Sequence, residues 1–414
     1  MRVEFLGGAS EVGKSGIRIS ERDINIVLDY GVDIQTNPPR YPLPVKNVTA
    51  AVLSHSHLDH CGSMPALYTN EKPRTFMTDV TLESSLLLIK DSIKIARRNG
   101  YLLPFGKNEV KRMIKQTKLV TYEEHFKIGN ISCQLFDSGH VPGSSGVLLS
   151  GGKKIFYTGD IKLEPTRLLN GCKLPQNIDT LIMESTYSQK DHPDRLSEEK
   201  RLISAIEEAL AMNETALIPV FAVGRAQEIL LILENYSDKI ALDGMAKAAS
   251  EIILEHKYYL KDPEKLKKVL KKIKWIRSDK EREKAVKKYP IIVTTAAMMS
   301  GGPVLYYLRM LKSRKGAKVL FVGYLVEDSP ARNLIETGIF TTAEESYSVH
   351  CDLRQYDLSS HAGRKELFQI INLTKPKQVI CIHGDECEKF ARDIEERFSN
   401  IQAIAPKNGD ALEI

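Results

Sequence analysis

The stretch His55-Ser56-His57-Leu58-Asp59-His60 decides how the rest of the chain is read. It follows Ala50-Ala51-Val52-Leu53-Ser54, small and apolar residues that suit a buried strand, so the polar cluster falls where a strand ends and a loop begins. Three imidazoles and a carboxylate within six positions are residue types that ligate zinc. A solvated polar loop would leave that clustering without a cause. In an extended stretch His55 and His57 point to the same side and can reach one ion. Asp59 and His60, beyond the turn, can aim at a second ion close by.

Three further strand-like runs end on residues of the same kind. His140 lies in the Gly-rich stretch Asp137-Ser138-Gly139-His140 after a strand signal at 130–136. Asp160 closes Phe156-Tyr157-Thr158-Gly159-Asp160, and His383 follows the apolar run Val379-Ile380-Cys381-Ile382. A lone histidine is more often a hydrogen-bonded core or surface residue. Together with the cluster at 55–60, these residues form a specific constellation.

At 414 residues, with 42% hydrophobic and 27% charged residues, the chain has the composition of a soluble globular protein with one large core or two ordinary ones. No run approaches the roughly 18 apolar residues of a membrane span, and the alternating start Met1-Arg2-Val3-Glu4-Phe5-Leu6 has no signal-peptide block. The six cysteines are scattered without a CxxC pair, which fits free thiols and a cytoplasmic location. Of the net charge of +6, residues 256–289 contribute fourteen Lys/Arg against five Asp/Glu, or +9, leaving −3 for the remainder. That segment is either a solvated helical face or part of a polyanion-binding surface.

Residues 81–98 and 107–116 have helical periodicity; 2–6, 16–19, 24–29, 146–149 and 154–158 look like strands. After about residue 187, apolar strand runs at 215–221, 240–242, 291–293 and 319–322 alternate with helical stretches, which implies a parallel sheet with helices on its faces. Residues 8–15, Gly8-Ala9-Ser10-Glu11-Val12-Gly13-Lys14-Ser15, match a phosphate-loop pattern. Such a loop must open into a helix, whereas Gly16-Ile17-Arg18-Ile19-Ser20 alternates like a strand, so a hairpin loop near the site is expected instead.

In these residues the chain resembles the metallo-β-lactamase superfamily. His55-x-His57-x-Asp59-His60, His140 and Asp160 match its motifs in order, and Asp29 in Val27-Leu28-Asp29-Tyr30-Gly31 matches its first motif, a supporting aspartate that orients the site. Glu184, His361 and His383 resemble motifs A, B and C of the β-CASP nucleases, in which an α/β domain is inserted into the lactamase fold. The similarity runs the length of the chain. In particular it resembles RNase J-type enzymes and archaeal homologues of the cleavage-and-polyadenylation endonuclease, in a short form without an N-terminal KH module. One departure is Gly363, where many members carry Asp after His-Ala.

The resemblance implies an α/β fold: a metallo-β-lactamase αββα sandwich from residues 1–187 and 346–414, and an inserted β-CASP domain, a parallel sheet flanked by helices, at 188–345. It implies two zinc ions, one on His55, His57 and His140, the other on Asp59, His60 and His383, with Asp160 bridging. His361, Glu184 and Asp59 are the catalytic candidates: His361 would protonate the leaving oxygen and Glu184 would orient and charge it. His383 at motif C, where DNA-acting members carry Val, resembles the RNA-acting branch. A phosphate grip is expected at Arg225 and at Ser300, Gly301 and Gly302, where strands pass into helices. The expected function is zinc-dependent hydrolysis of RNA, endonucleolytic or 5′ to 3′, with RNA held mainly by its backbone and no membrane partner. A homodimer is an expectation of the family, not of any residue. The alternatives are a catalytically silent RNA-binding subunit and a metallo-hydrolase of another ester.

Overall fold

A computed structural model describes residues 1–36 and 38–414. The chain divides into two compact units, one of residues 1–165, 169–191 and 360–414, the other of residues 166–168 and 192–359.

In the first unit two sheets face each other. One runs Ala411–Glu413, Arg2–Gly7, Gly16–Glu21, Ile24–Tyr30, Ala50–Val52, Arg74–Met77, Thr117–Leu119. The other runs Gln402–Ile404, Gln378–Ile382, Thr180–Glu184, Lys154–Tyr157, Ser145–Ser150, Ile131–Asp137, Phe126–Ile128. Val3, Phe5, Ile17, Ile26, Leu28 and Val52 of the first pack against Leu135, Val147, Leu149, Ile155, Ile182 and Ile380 of the second, all fully buried. Period-two alternation explains this inner core, since every other side chain of each strand points inward. The outer faces are also apolar and each is covered by helices. Ala51, Leu53 and Met77 meet Ile89 of Asp79–Asn99 and Met113 of Lys107–Gln116. Leu181, Met183, Val379 and Cys381 meet Leu367 and Ile371 of Arg364–Thr374 and Phe390 and Ile394 of Cys387–Arg397. Helix, sheet, sheet, helix is the layering expected, and burial on both faces is why these central strands read as near-continuous apolar runs.

The second unit holds a six-stranded sheet in the order Lys274–Trp275, Ile240–Asp243, Ile291–Thr294, Ala216–Pro219, Lys318–Val322, Asp352–Tyr356, every pair parallel. Helices connect the strands, as parallel pairing requires. The expected division at 345/346 differs from this grouping. Asp352–Tyr356 pairs along its length with Lys318–Val322, so residues 346–359 group with the second unit.

Gly16–Glu21 is a strand paired with Arg2–Gly7 and Ile24–Tyr30, so residues 8–15 form a hairpin loop and not the entrance to a helix. Among the described residues no helix is long and apolar enough to cross a membrane.

Candidate metal centre

The candidate ligands leave the first unit's sheets at strand ends. His55 follows Ala50–Val52, His140 follows Ile131–Asp137, Asp160 follows Lys154–Tyr157 and His383 follows Gln378–Ile382. Thr180–Glu184 pairs in parallel with Gln378–Ile382, Glu184 beside Ile382, so Glu184 and His383 emerge at the same end of the sheet. Residues 58–61 form a single helical turn that carries Asp59 and His60. That turn lies tight against Gly31: a Cβ there would stand 1.7 Å from the Asp59 carbonyl oxygen, an approach only glycine permits.

Two four-residue sets result, each with one ligand atom per residue and all atoms within 4.8 Å of one another: His55, His57, His140 and Asp160, then Asp59, His60, Asp160 and His383. In the first, His57 Nδ1 is 3.1 Å from His140 Nε2, and Asp160 Oδ2 is 3.4 Å from His55 Nε2 and 3.5 Å from His140 Nε2. In the second, Asp160 Oδ1 is 3.2 Å from His60 Nε2 and 3.5 Å from His383 Nδ1, while Asp59 Oδ2 is 3.3 Å from His383 Nε2 and 3.7 Å from His60 Nε2. Atoms bound to one tetrahedral zinc at about 2.1 Å lie about 3.4 Å apart, so these separations are of the right size. Asp160 divides its oxygens, Oδ2 toward one set and Oδ1 toward the other.

The donor chemistry fits a cation. His55 Nε2, His60 Nε2 and Asp160 Oδ1 are buried and make no hydrogen bond. Each such atom costs about 1–3 kcal/mol unless something else satisfies it. Burial, reinforced by His60, pushes the pKa of His55 well down, and burial with the charge of His361 does the same to His140, which keeps both imidazoles in the ligating form. Burial opposes the charge of Asp160, yet His60, His383 and His361 hold its carboxyl well below the usual range.

A second layer aims these groups. Asp29, fully buried at φ +57°, accepts from Ser54 N at 2.7 Å, Ser54 Oγ at 2.7 Å and Tyr157 Oη at 2.6 Å, and its Oδ2 lies 2.7 Å from His60 Nδ1. With its Nδ1–H given to Asp29, a neutral His60 would face the cluster with the lone pair of Nε2. His140 Nδ1 likewise lies 3.0 Å from the Ser360 carbonyl oxygen. Sequence alone does not single out Ser54 or Tyr157; within strand runs their hydroxyls carry no distinguishing signal.

Glu184 and His361 lie beside the cluster. His361 Nδ1 is 2.9 Å from Glu184 Oε2, and its Nε2 is 3.9 Å from Asp160 Oδ2. Arg225, Ser300, Gly301 and Gly302 belong to the second unit. Arg225 is nearly buried and donates to the Leu358 carbonyl, and the Gly224 amide is taken by Gln227 Oε1 at 2.8 Å. Gly302, at φ +79°, precedes helix Pro303–Leu311.

Family models match three segments: a Beta-Casp domain at residues 226–334, a Zn-dependent metallo-hydrolase RNA specificity domain at 346–406, and the Anti-Pycsar protein Apyc1 at 14–194. The chain is 38% identical to "Probable RNase MJ4" of Methanocaldococcus jannaschii, covering 100% of both chains. It is 32% identical to "RNase aCSPSF2" of Saccharolobus solfataricus over 100% of this chain and 85% of that one. A solved structure of a protein of unknown function from Enterococcus faecalis superposes with a TM-score of 0.64 at 16% identity, over 100% of this chain and 99% of that one, which speaks to the fold alone.

Proposed function

The chain belongs to the β-CASP ribonucleases of the metallo-β-lactamase superfamily, archaeal CPSF-like type, which are metal-dependent RNA-processing hydrolases, and on that footing we propose that it hydrolyses RNA phosphodiester bonds at a two-zinc centre built from His55, His57, Asp59, His60, His140, Asp160 and His383. The observation that carries this is the division of the Asp160 carboxylate between two ligand sets. In this assignment His55, His57 and His140 would hold one ion and Asp59, His60 and His383 the other, with Asp160 shared between the two sets. Bound there, two zinc ions would act as Lewis acids, making water a better nucleophile near neutral pH and offsetting charge on the phosphate.

The remaining work falls to the chain's own side chains. Glu184 accepts from His361 Nδ1 and favours the imidazolium, in which Nε2 carries a proton as well, on the side of Asp160. That proton goes to the departing oxygen, which would otherwise leave as an alkoxide. Asp29 holds His60 in one tautomer. The zinc count, the acid role of His361 and the phosphate grip are parts of this proposal. Within the grip, the amide of Gly224 is spent inside the chain, so the loop 300–302 is the stronger half. The proposed setting is the cytoplasm, with RNA held by its backbone.

The test is a labelled RNA incubated with the purified chain, with chelator, and with chelator followed by zinc. Cleavage that disappears and returns supports the proposal. Binding without metal-dependent product would support a silent RNA-binding subunit instead. Comparing circular with linear RNA then decides between internal cutting and digestion from an end.

A further inference from the structure

The loop 8–15, which matches a phosphate-loop pattern, is tied at both ends to candidate ligands. The Gly8 carbonyl accepts from the His383 amide at 2.7 Å, and the Ser15 amide donates to the Asp59 carbonyl at 2.7 Å. Asp59 and His383, 324 positions apart, are the pair whose side chains face each other at 3.3 Å in the second ligand set. His55 and His140 of the other set lean instead on Ser54 Oγ, 3.0 Å away, and the Ser360 carbonyl, also at 3.0 Å.

The two ends of the loop lie against each other, so the two bonds work as one bracket. A Cβ on Gly8, whose φ is +73°, would stand 3.0 Å from Ser15 Cα and 3.1 Å from Ser15 Oγ. Between the ends the loop is pinned from outside. The Ala9 amide donates to Asn408 Oδ1 at 3.0 Å, Ser10 Oγ donates to the Pro406 carbonyl at 2.9 Å, and Glu11 pairs at 3.4 Å with Arg40, while within the loop it also pairs with Lys14. Ser15 also receives the Gly31 amide on its carbonyl at 2.8 Å, binding it to the glycine on which the Asp59 turn rests.

We propose that residues 8–15 are a clamp that sets the spacing of Asp59 and His383, and so governs occupancy of the metal position bounded by Asp59, His60, Asp160 and His383. The inference rests on the two-ion reading above. Asp59 and His383 sit on separate turns, each held to its own neighbours, the Leu58 carbonyl by the Val32 amide at 2.9 Å and the His383 carbonyl by the Ser185 amide at 3.2 Å and Thr186 Oγ1 at 3.1 Å, and the loop ties one turn to the other. Outer-layer contacts of this kind are typically worth about 10- to 100-fold in metal affinity.

The experiment follows zinc content of the full-length chain by atomic emission during dialysis against graded chelator, for the wild type, Gly8→Ala and Asn408→Ala. Gly8→Ala strains the left-handed position that delivers the carbonyl to His383. Asn408→Ala removes the partner of the Ala9 amide without changing any residue of the loop, and it carries the test if Gly8→Ala fails to fold. Circular dichroism and the melting of the metal-free forms check the fold. The clamp predicts that the wild type holds two ions, and that each folded variant releases one at about tenfold less chelator or lower, while holding the other as the wild type does. A release curve for folded Asn408→Ala that matches the wild type, or loss of both ions together, overturns it. A wild type holding fewer than two ions refutes the two-ion reading by itself, before any variant is measured, and the clamp with it.

Discussion

His361 and Glu184, 177 positions apart, meet in a two-point contact: His361 Nδ1 lies 3.0 Å from Glu184 Oε1 and 2.9 Å from Oε2. Glu184 Oε1 also accepts from the Ile161 amide at 2.7 Å. One buried carboxylate thus holds both the histidine and the residue next to Asp160. Burial alone would lower the pKa of His361, but Glu184 and then Asp160 raise it to about 9.

If His361 is the proton donor, His361→Ala keeps its zinc and loses turnover by about 10²- to 10⁴-fold. Metal loss in that variant would instead make it a ligand, since Asp160, Glu184 and His361 also form a compact donor group. The acid must be protonated to act, and the Glu184 carboxylate favours that form, so cleavage should fall on the alkaline side as His361 loses its proton. Glu184→Gln should move that alkaline limb to lower pH. A limb that stays where it is would remove the histidine from the chemistry.

Asp160→Asn should deplete both ions, because the carboxylate serves both sets with different oxygens. Elemental analysis of the purified variant checks this. Two zincs per chain in the variant would refute the bridge.

Asp29→Asn tests orientation at a distance. The amide can donate to His60 Nδ1 where the carboxylate accepted its proton, which favours the tautomer carrying hydrogen on Nε2. Zinc affinity should fall about 10- to 100-fold with the fold retained. Competition against a chromogenic chelator measures it, and an affinity equal to the wild type would show that Asp29 does not set the tautomer.

Lys268, Lys271 and Lys272 lie on helix Pro263–Lys272, Lys280 and Lys284 on helix Asp279–Lys288, and all five are exposed. Replacing them with Gln should weaken RNA binding at low salt and flatten its dependence on salt concentration, by about one unit of logarithmic slope for each phosphate no longer neutralised. An unaltered slope would leave the segment a solvated face.

Much of the architecture is visible in the amino acids because both sheets of the first unit are covered on both sides. Continuous apolar runs such as Val379–Ile382 therefore stand out, and each ends abruptly on the polar residue that the site uses. Asp352–Tyr356 is hard to see for the opposite reason: it is an edge strand, most of its residues are only half-buried, and Arg354 and Gln355 interrupt the apolar pattern. Lys274–Trp275 is too short to carry a period. Around the candidate centre, the residue types and their strand-end positions are legible, while the pairing of distant segments comes from family resemblance. What no local pattern encodes is the outer layer. Tyr157 reaching Asp29, and the amides of Ser15 and His383 meeting Asp59 and Gly8, depend on backbone turns between segments far apart in sequence.

The central claim is that strand ends distant in sequence converge on two adjacent cations. Anomalous diffraction at the zinc edge, from crystals grown with zinc, tests it most directly. Two peaks on either side of the Asp160 carboxylate are predicted, one bounded by His55, His57 and His140, the other by Asp59, His60 and His383. A single peak, or peaks away from Asp160, would contradict it.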